Sequence, residues 1–280
     1  MKRFGAAATL FCALSLLAGC EDAPWHIDPL DVNGRDGGGT PLSYSTLMRI
    51  GAAAHAAGDL PTAVSVYRRA AAVDTHAVAP FVASGNTLLE MGQTSEAIIA
   101  YNSALARNAH DGEALRGLAR SYLMTGKPEL AGQPLSVAFQ DTPDDPKLLE
   151  LIGVADDFVG QHEEAQARYK RGLELLPGDA ALSLDLALSM AITGDYPQAV
   201  AILQPIATAP GSSARDRQTL ALIYGLQGNR PAAEHFARID LNPQGVARNL
   251  AFYDNLRRLT PAARQRAIQT LTLQGGAHHS

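Results

Sequence analysis

The stretch GDYPQA, residues 194–199, holds no nucleophile, no metal-ligand pair and no phosphate loop. Its pattern nevertheless returns five more times, as GDLPTA at 58, GQTSEA at 92, GKPELA at 126, GQHEEA at 160 and GNRPAA at 228. Each Gly stands 34 residues from the next, with no insertion or deletion, and Ala63, Ala97, Ala131, Ala165, Ala199 and Ala233 keep the same register. A fixed period of this size marks a chain built from stacked supersecondary units.

Thirty-four residues is the length of the tetratricopeptide repeat, a helix–turn–helix unit, and the small residues here resemble that family's pattern. With position 1 set at Tyr44, Val78, Gly112, Pro146, Ala180 and Ala214, the eighth position is Gly51, Gly85, Ala119, Gly153, Ala187 and Ala221. These tiny residues let the first helix (A) of a unit approach the second (B). The Gly between the helices can take the left-handed conformation that ends helix A. The seventh position, Ile50, Ser84, Leu118, Ile152, Leu186 and Leu220, reads as core with one lapse at Ser84. Bulky side chains recur at position 24, in Tyr67, Tyr101, Leu135, Tyr169 and Leu203. Pro143 and Pro177 fall where helix B must stop. The sixth unit is degenerate, with Ala237 at position 24 and Asp240 at position 27, as expected of a terminal repeat. Val246, Leu250, Tyr253, Leu256 and Leu259 then follow at helical spacing. Thr260-Pro261 opens another helix, running to about Leu273. The expected fold is all-α: a right-handed superhelix of six repeats over 44–243, capping helices over 244–274 and a disordered tail over 275–280.

Composition fits this reading. The chain has 280 residues, 46% apolar but only 6% aromatic, which suits helices packed through small side chains. A net charge of −5 gives no basic footprint for nucleic acid.

The first residues form a separate object. Met1-Lys2-Arg3 is a short positive region, and Phe4 to Leu17 is an apolar run shorter than a bilayer span. It reads as a secretory leader over residues 1–19. The run ends in L-A-G-C, Leu17 to Cys20, which resembles the bacterial lipobox and implies cleavage before Cys20 and lipidation of that residue. The other cysteine, Cys12, lies inside the leader, so the mature chain would form no internal disulfide. Residues 20–43 then read as the lipidated Cys followed by a Gly-, Pro- and Asp-rich tether.

No catalytic constellation is legible. HEEAQ at 162–166 has Gln166 where H-E-x-x-H needs its second His, and it reads as a solvated turn. TGKPEL at 125–130 lacks the upstream Gly and the Ser or Thr of a phosphate loop. The expectation is therefore no enzyme, no metal, no cofactor and no small-molecule substrate. The family resemblance implies a groove instead, lined by helix A. It would be built here from Asn86, Leu89, Glu90, Arg116, Arg120, Leu123, Lys147, Glu150, Asp157, Phe158 and Leu222. Arg116 and Arg120, four apart, would form a fork for a partner carboxylate, or would be neutralised by Glu150 and Asp157 of the next unit. Phe158 would be an apolar anchor if exposed and core if buried. The groove of repeats 2–4 is expected to bind a peptide or helix of a protein partner.

The order lipobox, tether, six repeats, and a C-terminal helix with V-x-x-N-L-A-x-Y from Val246 to Tyr253 resembles the tetratricopeptide-repeat lipoproteins of the Tad (tight adherence, Flp pilus) secretion systems. That resemblance implies a non-enzymatic scaffold, anchored through its N-terminal lipid. Its partner would be the outer-membrane secretin or another pilus-assembly component. Glu21 after Cys20 favours the outer membrane. Two alternatives share the same fold: a pilotin of another secretin system, or a periplasmic adaptor that recruits cell-wall enzymes.

Overall fold

A computed structural model describes residues 42–260 and 262–268. The leader, Cys20, most of the tether, the end of the second capping helix and the tail lie outside the described residues. The described part contains no strand. Its helices are α1 (Tyr44–Ala56), α2 (Leu60–Val73), α3 (Ala79–Glu90), α4 (Thr94–Leu105), α5 (Gly112–Met124), α6 (Pro128–Asp141), α7 (Pro146–Phe158), α8 (His162–Leu175), α9 (Ala180–Thr193), α10 (Tyr196–Thr208), α11 (Ala214–Gln227), α12 (Arg230–Asp240) and α13 (Pro243–Arg258). Residues 262–268 form one more helical segment.

The six period-setting glycines all have positive φ, between 68° and 95°. In each unit the residue after the Gly donates its N–H to a carbonyl five residues back, as Asp59 does to Ala54 and Asp195 to Met190, at 2.8–2.9 Å. That is the Schellman stop, in which a left-handed residue lets the chain fold back and satisfy the last carbonyls of the helix. An L side chain at the glycine would strain every such stop.

Helix starts carry a second 34-residue signal. Ser43, Asp111, Asp145, Asp179 and Ser213 each accept a backbone N–H of the first turn of helix A. Ser213 and Asp216 form a reciprocal capping box. Only in the second unit is the register broken: there Val78 is the cap and contributes no side-chain bond.

Packing follows from a pairing of sizes within each unit. Tyr at position 24 occurs with Gly at position 8 (Tyr67 with Gly51, Tyr101 with Gly85, Tyr169 with Gly153). Leu occurs with Ala (Leu135 with Ala119, Leu203 with Ala187). A Cβ on Gly51 would lie 2.5 Å from the Tyr67 ring, one on Gly85 2.6 Å from Tyr101, and one on Gly153 2.5 Å from Tyr169. The ring therefore lies directly on the backbone of helix A. Gly51→Ala alone is expected to destabilise by about 1–3 kcal/mol through overpacking. Tyr67→Leu alone should also destabilise, by leaving a gap. The double variant should cost clearly less than the sum, because it rebuilds the Ala–Leu pair of the third and fifth units. Urea denaturation of the four proteins as a double-mutant cycle reads this coupling.

Consecutive helices pack against one another along the whole array. Helices A also meet the next helices A (α3 with α5, α5 with α7, α7 with α9, α9 with α11), and α11 meets α13, whereas helices B make no comparable contact. Helices A thus form the inner layer. The sixth unit closes differently: α12 is short, and Asp240 takes a bidentate bond from Arg217. That guanidinium holds the Asp240 carboxyl below its usual range. Beyond it, α13 buries Val246, Leu250, Tyr253 and Leu256, four of the five residues expected from the spacing; Leu259 is the helix's C-cap and only half-buried. Among the described residues no helix is long and apolar enough to cross a membrane.

Candidate functional site

The inner face carries a cavity of about 480 Å³. Its apolar wall is Leu151, Val154 and Phe158 of α7 with Leu188 and Ile192 of α9. Its polar wall is Glu150 and Asp185, with Arg120, Lys147, Asp179 and Arg215 around them. The cavity therefore spans α5 to α11 and centres on the fourth and fifth units, about one unit beyond the groove expected from the sequence.

The reason for the shift is visible in the side chains. In the second unit Asn86 is engaged within the array: its Nδ2 donates to Glu113 at 2.7 Å and its Oδ1 accepts from the Tyr101 hydroxyl at 2.7 Å. It ties α3, α4 and α5 together. Glu90 is likewise engaged by His55 at 2.9 Å, and Leu123 is buried. In the fifth unit Ala181, Leu188 and Ile192 leave open space between α7 and α9.

The expected arginine fork does not form. Arg116 Nη1 donates to Asp145, the cap of α7, at 3.1 Å. Arg120 is exposed and points into the cavity wall without an ion pair among the described residues. Nor do the two arginines neutralise Glu150 and Asp157. Asp157 is buried, and its carboxylate accepts from His162 Nδ1 at 2.6 Å, from the Tyr169 hydroxyl at 3.0 Å and from the Ser189 hydroxyl at 2.8 Å. It is a structural hub joining α7, α8 and α9 at the edge of the cavity. His162 belongs to this hub, so HEEAQ is no solvated turn. The hydrogen bond that His162 donates to Asp157 raises the His162 pKa despite burial. Sequence reasoning missed this network because its members are 5, 12 and 32 residues apart, and only the packing of α8 and α9 on α7 brings them together.

Glu150 and Asp185 are different. Both are half-buried on the cavity wall, and neither carboxylate forms an ion pair or hydrogen bond among the described residues. Burial, reinforced by the Glu150 charge and opposed by Arg215, pushes the Asp185 carboxyl up to about 7. Burial and Asp179 raise Glu150, while Arg120, Arg215 and Lys147 pull it back. Asp185 stands at the sixth position, outside the positions that line the groove by family resemblance. Phe158 is half-buried: it packs on the third-unit core and also lines the cavity. It is at once core and groove wall.

Among the described residues no cluster of His, Cys, Asp and Glu has the arrangement of a metal site. The cavity offers an aliphatic surface flanked by two carboxylates of shifted pKa and three exposed cations.

The tetratricopeptide repeat family matches residues 82–146 and 153–213. Anaphase-promoting complex subunit 7 of Arabidopsis thaliana is 27% identical over 191 residues, 68% of this chain. The chain spans about a third of that curated relative's length, 34%. Among solved structures, a tetratricopeptide repeat protein from Parabacteroides merdae superposes with a TM-score of 0.63 at 18% identity, over 75% of this chain and 84% of that one. Pseudomonas aeruginosa pilF superposes with a TM-score of 0.61 at 18% identity, over 74% of this chain and 96% of that one. At such identities the likeness is one of fold. Residues 82–146 and 153–213 match the tetratricopeptide repeat model, and the helical array they sit in has the tetratricopeptide-repeat superhelical fold.

Proposed function

We propose that this chain is a protein–protein interaction scaffold of the TadD type, a lipid-anchored envelope protein that assists assembly of the Flp pilus by localising or multimerising its secretin. The groove reading rests on the cavity between α7 and α9. An aliphatic wall with neighbouring charges left without partners is built to receive a partner segment, since desolvated charges gain most from a ligand that pairs them. The pilus reading rests on the L-A-G-C stretch ending at Cys20, the order of segments and the V-x-x-N-L-A-x-Y run that falls inside α13.

A lipid anchor suits this task physically. Holding the groove and its partner on one membrane surface raises their effective concentration. A triacylated Cys20 would anchor stably where a single chain gives only marginal binding. Glu21 favours the outer membrane in this reading.

The test is a crosslinked pulldown of the lipidated protein from its native envelope, read by mass spectrometry. It is run for the wild type and for Arg120→Glu combined with Arg215→Glu. Both arginines are exposed and make no ion pair among the described residues; because they face Glu150 and Asp185, circular dichroism and a denaturation curve of the variant first check that the array is still folded. Secretin and Flp-pilus components are expected with the wild type and should fall by roughly tenfold with the double variant. Recovery of another secretin system or of wall hydrolases, or of nothing reproducible, removes the pilus assignment. Undiminished recovery with the variant removes the groove.

A further inference from the structure

A second cavity, of about 160 Å³, opens between helices B of the first two units. Its floor is Phe81, Ser84 and Leu88 of α3, and its walls include Ala71 of α2 and Ile99 and Ala100 of α4. It shares no residue with the cavity on the inner face. Two departures from the repeat meet there. Position 7 is Leu or Ile in the other five units, and Leu118, Leu186 and Leu220 are buried. Ser84 is too short to fill that place. Position 22 is Ser65, Gln133, Ala167, Ala201 and His235 elsewhere, but Ile99 here, 66% exposed on the cavity wall. A single exposed aliphatic residue is ordinary. Beside a packing gap it extends an apolar surface to solvent, and breaks in an otherwise consistent pattern are expected where a chain has a function to serve.

Ser84 supplies the chemistry. It is 4% exposed, it lines the cavity, and its hydroxyl makes no hydrogen bond among the described residues. The other buried hydroxyls are all partnered: Thr87 donates to the Ala83 carbonyl, Ser121 to Gly117, Ser183 to Asp179 and Ser189 to the Asp157 carboxylate. An occupant without a polar atom would bury the Ser84 hydroxyl unpaired and forfeit affinity. The volume sets the size, since an apolar cavity of about 150 Å³ accepts a benzene ring. A phenol meets both demands: its ring fills the gap and its hydroxyl pairs with Ser84. Tyrosine is the side chain that carries one, and this union of apolar body and polar tip is what enriches it at interfaces. Arg68 of α2 and Glu96 of α4 line the cavity from opposite helices, both exposed and without an ion pair among the described residues. They give the mouth a polar rim, complementary to acidic and basic neighbours of that tyrosine.

We propose that this cavity receives a tyrosine side chain of a partner protein, on a surface separate from the groove. The site depends on neither the groove reading nor the pilus assignment.

The probes are p-cresol, which is the tyrosine side chain cut at Cβ, and toluene, which lacks only the hydroxyl. Binding to the full chain is followed through the methyl NMR signals of Leu88 and Ile99. p-Cresol is expected to bind about tenfold more tightly than toluene, and Ser84→Ala should erase that preference. Ser84→Leu restores the residue of the third, fifth and sixth units and should bind neither. Equal affinity of the wild type for both probes, shifts away from Leu88 and Ile99, a preference that survives Ser84→Ala, or binding by Ser84→Leu overturns the proposal. A second arm tests the source of the phenol. The photo-crosslinker p-benzoylphenylalanine replaces Ser95, exposed on α4 one turn before Ile99, and is activated in the native envelope. Mass spectrometry of the product is expected to find a tyrosine within a few residues of the attachment point. Adding Ser84→Leu should abolish the product, while Arg120→Glu with Arg215→Glu should leave it intact, so that failure of this site and failure of the groove read separately. No product, a product without tyrosine, or one that Ser84→Leu leaves unchanged overturns the proposal. p-Cresol binding without a crosslink would make this a site for small phenols instead.

Discussion

Tyr101→Ala is expected to remove about 3–5 kcal/mol of stability, the range for emptying a large aromatic site in a packed core. Tyr101 has no exposed surface. Its ring lies between two glycines on different helices, Gly85 of α3 and Gly117 of α5, and a Cβ on either would collide with it. Neither helix can fill the gap, because each presents only backbone there. The hydroxyl also bonds Asn86 Oδ1 at 2.7 Å, so truncation strips a partner from the side chain that bridges α3 to Glu113 of α5. Burial raises the Tyr101 pKa strongly, so the ring stays neutral and a donor throughout the accessible pH range. At about 2–4 °C per kcal/mol for an array of this size, the midpoint should fall by about 6–20 °C. Because each unit contacts only its neighbours, hydrogen exchange should accelerate first in α3 to α5 and later in α9 to α13. A loss below about 1 kcal/mol, or a uniform one, would mean that the ring is not the wedge between the second and third units.

The second large effect is expected at the hub. Asp157→Ala leaves His162, Tyr169 and Ser189 without the acceptor they share, and removing one member of a buried charged network costs about 3–5 kcal/mol. The effect depends on pH with a definite sign. The folded-state pKa of His162 is raised above 6.5, first through its bond to Asp157. Its contribution is fully present below 6.5 and is lost as pH rises through the raised folded value. The stability difference between wild type and variant should therefore be larger at about pH 6 than at about pH 9. Asp157→Asn, which keeps an acceptor but not the charge, should cost less and show little of this pH dependence. Chemical denaturation of the three proteins at both pH values decides it. A pH-independent difference would show that His162 is held by packing and not by the carboxylate.

The 34-residue period by itself determined the repeat fold and the six left-handed stops. Those properties are local: a Gly with positive φ and a cap three residues before its bonded N–H act within one turn of chain. The caps at Ser43, Asp111, Asp145, Asp179 and Ser213 keep the same register, and so does the pairing of Gly with Tyr and Ala with Leu, but the structure is what revealed both roles. What the sequence could not place was the groove. It assigned Asn86, Arg116, Arg120, Glu150, Asp157 and Phe158 by position within the unit. A position fixes which face of helix A a side chain leaves from, not which neighbour takes it. Asn86, Arg116 and Asp157 are consumed by Glu113 and Tyr101, by Asp145, and by His162, Tyr169 and Ser189. Arg120, Glu150 and Phe158 remain on the cavity, joined by Asp185 and Arg215 from units further along. Only the tertiary structure decided this, and only it brought Ile268 back to Phe158. Hydrogen bonds and apolar contacts between residues 30 to 110 apart depend on how the superhelix curves, and curvature is a sum over all the helix–helix contacts rather than a property of any one stretch.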